Sequence, residues 1–303
     1  MGLREGTSLS QSTAEIHALT HEPSAPKPTV LRIRPSAGWR AINLAELWRY
    51  RELLWFLAIR DVKLRYKQTA LGVAWVVLQP LLTTAVFTLF FGRLGGLAAD
   101  LPPGVKSYPL FVLVALLPWQ LFVYALSQSS NSLVAEQRLI TKVYFPRLLV
   151  PAASVLAGLV DFLVTFVLVL IGIVWAEIPL TWAVLAVPAL ALFALVTALA
   201  VGLWLSALNV QYRDIKYTMP FLTQFWMLAS PIAYSAAKVP EPYKALYGIN
   251  PLTGIVEGFR WAVLGTPAPD WAMVAVSAVV TLGLLVGGLL YFRRMEKTFA
   301  DVV

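Results

Sequence analysis

Cysteine is absent from the 303-residue chain. Without thiols, the protein forms no disulfide, holds no zinc through thiolates and uses no cysteine nucleophile. Charged side chains are also scarce, at 13% of residues, whereas about a quarter of the residues in a soluble domain are charged. Hydrophobic residues make up 59% of the chain, and the mean hydropathy is +0.72. This composition predicts a protein that is mostly embedded in a membrane.

Several motifs of catalysis and nucleotide binding are missing as well. The chain has no G-x-x-x-x-G-K-[ST] phosphate loop, no H-E-x-x-H metal motif, no G-x-G-x-x-G dinucleotide motif and no G-x-S-x-G nucleophile turn. His17 and His21 have helical spacing, but no third ligand is near them, so we predict no metal site. We expect a chain that is not an enzyme and holds no cofactor of its own.

Two polar segments precede the apolar part of the chain. Residues 1–42 are polar and contain several prolines, which predicts a disordered cytoplasmic tail. Residues 43–66 place apolar side chains at helical spacing with charges between them. This pattern predicts an amphipathic helix at the membrane interface, and a surface helix packed on a partner is the alternative.

Long apolar runs fill the remainder, and a run of about twenty residues is enough to cross the roughly 30 Å hydrocarbon layer. The predicted fold is an all-α polytopic membrane domain over residues 43–303. The fourth predicted span is expected to bend near Pro188. Residues 236–265 contain an apolar stretch too short to cross, which predicts re-entrant helices. The six predicted spans are residues 70–91, 108–126, 148–175, 180–208, 218–234 and 271–292.

The basic residues indicate the orientation of these spans. Nineteen of the 24 Lys and Arg residues fall in segments that six spans would place on one side. Positive charge collects on the cytoplasmic side, so both termini are predicted to be cytoplasmic. The net charge of +8 lies beside apolar runs. It therefore favours membrane lipids or an anionic substrate over nucleic acid as a partner.

Five separated motifs resemble one family. The segment R-D-x-K-x-R-Y-K-Q-T-x-L-G-x-x-W-x-x-x-Q-P at 60–80 resembles the first membrane helix of ABC type-2 permeases that export polysaccharides, such as O-antigen, capsule and teichoic acid. The segments N-S-L-V-A-E-Q-R-L-I-T-K-V-Y-F-P-R at 131–147 and N-V-x-Y-R-D-I at 209–215 are similar to the inner loops of that family. S-P-I-A-Y-S at 230–235 and Y-G-I-N-P-L-T-G-I-V-E-G-F-R at 247–260 are similar to its outer re-entrant region.

The resemblance implies the transmembrane subunit of an ATP-driven exporter that moves a lipid-linked polysaccharide across the bacterial inner membrane. It implies a homodimer of this chain and two copies of a separate ATPase that binds ATP and Mg. A permease for another lipid or a drug is one alternative. A membrane-embedded glycosyl- or phosphotransferase is another, but it would need acids or histidines clustered at one membrane face. Asp100, Asp161 and Asp214 are instead predicted at three different levels.

Two groups of residues are predicted to meet the substrate. Aromatic rings stack on the C–H faces of sugars without fixing their hydroxyls, so rings on the first and fifth spans are predicted to line a channel, with helix packing as the alternative. Basic residues before the first span are predicted to attract a lipid pyrophosphate, with membrane anchoring as the alternative. The channel residues are Phe87, Phe90, Phe91, Phe221, Phe225 and Trp226, and the pyrophosphate residues are Arg60, Lys63, Arg65 and Lys67.

Other polar residues are assigned to coupling, gating and packing. A short helix from Asn131 or Ser132 to Lys142 is predicted to contact the ATPase, with a solvated turn as the alternative. Asp161, inside the third span, is expected to face the bundle for a structural hydrogen bond or a proton relay. Gly283 and Gly287 predict close helix packing. The predicted coupling residues are Glu136, Arg138, Lys142, Arg213 and Asp214, and the predicted outer gate is Glu257 with Arg260.

Overall fold

The computed structural model describes residues 44–67, 72–105, 107–296 and 299, and within these residues every regular element is helical. The predicted tail 1–42 and Asn43 lie outside the described residues. The all-helical prediction is therefore confirmed for the part of the chain that the structure describes.

Two helices precede the first long apolar run. Helix α1 covers Leu44–Arg49 and helix α2 covers Arg51–Lys67, with a turn at Tyr50 between them. The predicted interface helix is thus two helices. One side of α2 is buried in the protein, whereas Trp55, Phe56 and Leu64 are exposed. The apolar residues of α2 therefore serve two faces rather than one.

The remaining helices form a single bundle. In chain order they are α3 at Gly72–Phe87, α4 at Tyr108–Ala135, α5 at Gln137–Lys142, α6 at Leu149–Trp175, α7 at Val187–Tyr212, α8 at Ile215–Ala229, α9 at Glu241–Tyr247, α10 at Pro251–Leu264 and α11 at Trp271–Met295. A π-helical turn at Thr88–Leu94 extends α3, and a 3₁₀ turn at Trp182–Ala186 leads into α7. Within the described residues, five helices are long and apolar enough to cross a membrane, namely α3 with its extension, α4, α6, α7 and α11.

Helix α4 continues through residues that were predicted to form a loop. It ends at Ala135 rather than near residue 126. The hydroxyls of Ser130 and Ser132 donate to carbonyls one turn back, at 2.9 and 2.7 Å, so they are satisfied without leaving the helix. Ser132 therefore lies inside α4 and caps no helix, and the short α5 begins only at Gln137.

Proline moves the boundaries of two other predicted spans. Pro188 lies in the first turn of α7, where a missing N–H needs no partner, so the predicted bend is a helix start instead. Helix α8 has 15 residues and ends at Ala229. The next residue, Ser230, has an extended backbone because it precedes Pro231, and proline disfavours the helical conformation of the residue before it. At 1.5 Å per residue it is about 22 Å long, shorter than the hydrocarbon layer.

The helix α10 lies inside the bundle. The Asn250 side chain accepts a hydrogen bond from Leu252 N at 3.1 Å, and Pro251 occupies the first turn. Gly265, with φ +66°, ends the helix in the left-handed conformation that favours glycine. Twelve of its 14 residues are buried. A helix this short and this buried is held by its neighbours rather than by lipid.

Helix α4 is the centre of the bundle. Most of its side chains are buried, and it contacts α3, α6, α7, α8 and α10. Gly158 on α6 allows a close approach to α4, because a Cβ at this position would lie 2.7 Å from the Tyr124 ring. Helices in lipid associate largely through such close packing.

Candidate functional site

An ion pair connects α2 to the junction between α4 and α5. Arg60 Nη1 and Nη2 donate to the two carboxylate oxygens of Glu136 at 3.1 and 2.6 Å, and Nη2 also donates to Asp61 Oδ1 at 2.8 Å. Burial alone would lower the pKa of the Arg60 guanidinium, but the hydrogen bonds to Glu136 and Asp61 outweigh it and the pKa lies above its ordinary value. Arg60 and Glu136, which we assigned to two different partners, bind each other.

A second ion pair connects the C-terminal end of α2 to α6. Arg65 pairs with Asp161, and its guanidinium carbon lies 4.2 Å from the centre of the Tyr124 ring. The Tyr66 hydroxyl donates to the same carboxylate. Burial and this hydrogen bond raise the pKa of Tyr66 above its ordinary range. Because an unpaired carboxylate among membrane helices is costly, these two contacts stabilise Asp161 in its place.

The other two basic residues of α2 have a different environment. Lys63 and Lys67 are exposed and have no hydrogen bond or ion pair with any residue that the structure describes. Of the four residues predicted to attract pyrophosphate, two are therefore neutralised by acids, and the other two have ammonium groups that are unpaired within the described residues.

The two predicted coupling loops are adjacent. The Asn209 side chain, at the end of α7, donates to Ser130 O and to Asn131 Oδ1, both at 3.1 Å. A cleft of about 320 Å³ lies beside these bonds, with Gln137 and Arg213 in its lining. The exposed side chains of this combined surface include those of Arg138, Lys142, Arg213 and Asp214.

The six predicted channel aromatics do not share one surface. Phe90, Phe221 and Phe225 are exposed, and the last two rings lie 4.4 Å apart. Trp226 instead donates to Asn250 Oδ1 at 2.9 Å and packs edge-on against a core ring. Phe87 is buried and packs against the partly buried Phe91, with their rings 5.1 Å apart. Three of the six side chains can therefore face a channel in this conformation, and three pack within the chain.

Glu257 and Arg260 form a pair at 2.9 Å, and Arg260 is fully buried. Arg260 also donates to the carbonyls of Ile232 and Tyr234 at 2.9 and 3.0 Å. Its guanidinium carbon lies 3.6 Å from the centre of the Phe111 ring. The pair therefore holds the segment after α8 against α10 and α4.

A cavity between α3, α4 and α6, with several polar groups in a mainly apolar lining, was not predicted from the sequence. It has a volume of about 640 Å³, and its lining includes the Arg65–Asp161 pair and three glutamines, Gln79, Gln120 and Gln128. Two of these glutamines interrupt predicted apolar spans, and this interruption is the signal that could have indicated the cavity. Within the described residues, no three His, Asp or Glu side chains lie together as metal ligands, and His17 and His21 lie outside those residues.

Known proteins resemble this chain over most of its length. The sequence profile of the ABC-2 type transporter family matches residues 52–264. The O-antigen export system permease protein RfbA of Myxococcus xanthus is 28% identical over 261 residues, which cover 85% of this chain and 98% of the relative. RfbA of Klebsiella pneumoniae is 26% identical over 254 residues, covering 83% and 95%. The polysialic acid transport protein KpsM of Escherichia coli is 25% identical over 253 residues, covering 80% and 92%. Because the family match covers most of the sequence, this chain belongs to the ABC-2 type transporter family.

Proposed function

We propose that this chain is the membrane-spanning permease subunit of an ATP-driven exporter for a lipid-linked polysaccharide such as O-antigen. The similarity to O-antigen export and polysialic acid transport proteins over more than 90% of their lengths carries this proposal. The family match over residues 52–264 contains the basic end of α2, both polar loops and the buried helix α10. Every element to which we assign a role in transport therefore lies within the family match.

The proposed topology has six passes through the bacterial inner membrane, with both termini in the cytoplasm. Helix α8 serves as the fifth pass. Its roughly 22 Å falls short of the hydrocarbon layer, and the non-helical residues 230–235 that follow Ala229 complete the pass. Helices α9 and α10 then re-enter from the outer side. The predominance of Lys and Arg in the segments that this topology places inside supports it.

The proposed assembly contains two copies of this chain and two copies of a separate ATPase, which binds ATP and Mg. The permease chain itself holds no cofactor and catalyses no reaction. The exposed residues Arg138 and Lys142 on α5, together with Arg213 and Asp214, form the docking surface for the ATPase. Closure of the ATPase on ATP then moves α5 as a rigid body.

The Arg60–Glu136 pair extends this motion to α2. A bidentate pair between a guanidinium and a carboxylate restricts orientation as well as distance. Movement of the α4–α5 junction therefore displaces α2 and its free Lys63 and Lys67. We propose that these two ammonium groups, rather than Arg60 and Arg65, attract the pyrophosphate of the carrier lipid at the inner leaflet.

Deletion of the gene in its native host tests the proposal. Surface polysaccharide should disappear while lipid-linked polysaccharide accumulates inside the cell, as in a strain whose ATPase partner is inactivated. A strain that makes no lipid-linked glycan at all would point to a transferase instead. The purified chain alone should neither hydrolyse ATP nor transfer sugar from a donor, and either activity would contradict the proposal.

Substitution of two exposed aromatic residues tests whether they line the proposed channel. Replacing Phe221 and Phe225 by alanine removes two stacking surfaces, so export should slow several-fold while the ATPase still copurifies with the permease. Leu192→Ala, at an exposed position on α7, is the matched control and should export normally. Unchanged surface glycan in the double variant would remove these rings from the pathway.

A further inference from the structure

Three glutamine side chains that line the cavity between α3, α4 and α6 have no hydrogen-bond partner among the described residues. Gln79 lies on α3, and Gln120 and Gln128 lie on α4. Gln79 and Gln128 are exposed and Gln120 is partly buried, so all three carboxamides are accessible to a ligand. A carboxamide offers two donors and one acceptor oxygen. Three such groups at one cavity, unpaired within the described residues, are available to hydrogen-bond a polar ligand.

All three glutamines belong to helices that are long and apolar enough to cross a membrane. Gln120 and Gln128 are about 12 Å apart along α4, at 1.5 Å per residue. The cavity, at about 640 Å³, is within the range of small-molecule binding sites, roughly 300–1,000 Å³. It is therefore large enough for a ligand as well as for water.

The charges in the lining compensate each other. Arg65 and Asp161 pair, and the Tyr66 hydroxyl donates to the same carboxylate. The free ammonium groups of Lys63 and Lys67 are not part of the lining. A site with unpaired amides and no net charge favours a neutral polar ligand over a pyrophosphate.

Aromatic rings complete the lining. Trp75, Trp119 and Tyr124 border the same cavity as the glutamines. Ring faces contact the apolar C–H faces of a pyranose, while carboxamides can both donate to and accept from its hydroxyls. We propose that the cavity binds an uncharged sugar unit of the exported polysaccharide. This inference rests on the proposed export function and adds a binding site within a single chain.

The absence of cysteine makes a direct test possible. Single-cysteine variants Gln120→Cys and Gln79→Cys place one thiol in the cavity, and Glu241→Cys on α9, exposed and outside the lining, is the control. Membrane vesicles are prepared from two native-host strains, each with its ATPase inactivated by substitution at the nucleotide site. One strain makes the lipid-linked glycan, and the other lacks its first glycosyltransferase but retains the carrier lipid phosphate.

The measured quantity is the rate at which an uncharged maleimide alkylates each thiol. In vesicles without glycan, both cavity thiols should react because the cavity is wet. In vesicles with glycan, their rates should fall several-fold, while the rate at Glu241→Cys stays the same. Equal rates in the two strains, whether fast or slow, would overturn the proposal, as would unreactive cavity thiols in the glycan-free strain.

The two cavity positions protect the test against misfolding. A variant that does not accumulate in the membrane is set aside, and the other decides the outcome. If neither variant accumulates, Ser127→Cys, at a third position in the cavity lining, replaces them. Its alkylation rate in the two strains is then judged by the same criteria. The gene deletion and the alkylation assay distinguish the two proposals. If deletion removes surface glycan but glycan does not protect the cavity thiols, the sugar site is rejected and the export function stands. If deletion leaves surface glycan normal, the export function itself is rejected.

Discussion

Replacing Arg260 by methionine is expected to destabilise the protein strongly. The side chain is fully buried, and its removal leaves the Glu257 carboxylate without its cation and two carbonyls without their donor. Breaking a buried pair from one side typically costs about 3–5 kcal/mol in the free energy of unfolding. With about 2–4 °C per kcal/mol for a chain of this size, the unfolding midpoint should fall by roughly 10 °C.

The chain contains its own control for this change. Glu241 and Lys244 have the same three-residue spacing on α9, but the Glu241 side chain is 82% exposed, against 12% for Glu257. Screening by solvent limits such a pair to about 0.5 kcal/mol or less. Lys244→Met should therefore shift the midpoint by no more than about 2 °C.

Thermal unfolding of the purified chain in detergent, followed by the fluorescence of its 11 tryptophans, measures both shifts. Adding Glu257→Gln to Arg260→Met should recover part of the loss, because it removes the unpaired carboxylate charge. Equal small shifts for Arg260→Met and Lys244→Met would refute the reasoning. A double variant no more stable than Arg260→Met would show that the orphaned charge is not the cause.

Other predictions concern coupling and packing. Arg60→Glu should reduce export several-fold through repulsion from Glu136, and adding Glu136→Arg should restore it; failure of the exchange to rescue export would remove the pair from coupling. Arg138→Glu should leave ATP hydrolysis running while surface glycan falls, and normal export per ATP would place the contact elsewhere. Gly288→Val should lower the unfolding midpoint because a Cβ would lie 2.8 Å from a carbonyl oxygen of α7, whereas Gly283 has open space and Gly283→Val should be tolerated. Equal midpoints for the two glycine variants would contradict this packing.

The positions of the long helices followed largely from the apolar runs, and local chemistry explains the boundaries that moved. Serine hydroxyls satisfied within the helix allow α4 to continue past its predicted end. A 3₁₀ turn precedes α7, Pro188 lies in the first turn of α7, and Pro231 follows the early end of α8. The prediction that Gly283 and Gly287 both allow close helix packing is confirmed only for Gly287. Gly287 and its neighbour Gly288 pack against Trp204, whereas no described atom lies near the Cβ position of Gly283.

The contacts of the candidate site depended on pairings between distant residues. Arg60 and Glu136 are 76 positions apart, and Tyr66 and Asp161 are 95 apart. The residue types showed that basic and acidic side chains were present, but no local pattern indicated which acid would neutralise which base. The same limit applies to the cavity, whose three glutamines come from two different helices.

The sequence by itself determined that this chain is helical, apolar enough for a membrane and a member of its transporter family, because hydropathy and motif order are local properties. The tertiary structure decided that Lys63 and Lys67 are exposed and unpaired within the described residues, that Phe90 is exposed while Phe87 is buried, and where the cavity with the three glutamines lies. Lipid tails and a protein interior are similarly apolar, so a membrane helix can be recognised without knowing which face meets lipid. Only the packing of neighbouring helices distinguishes those faces.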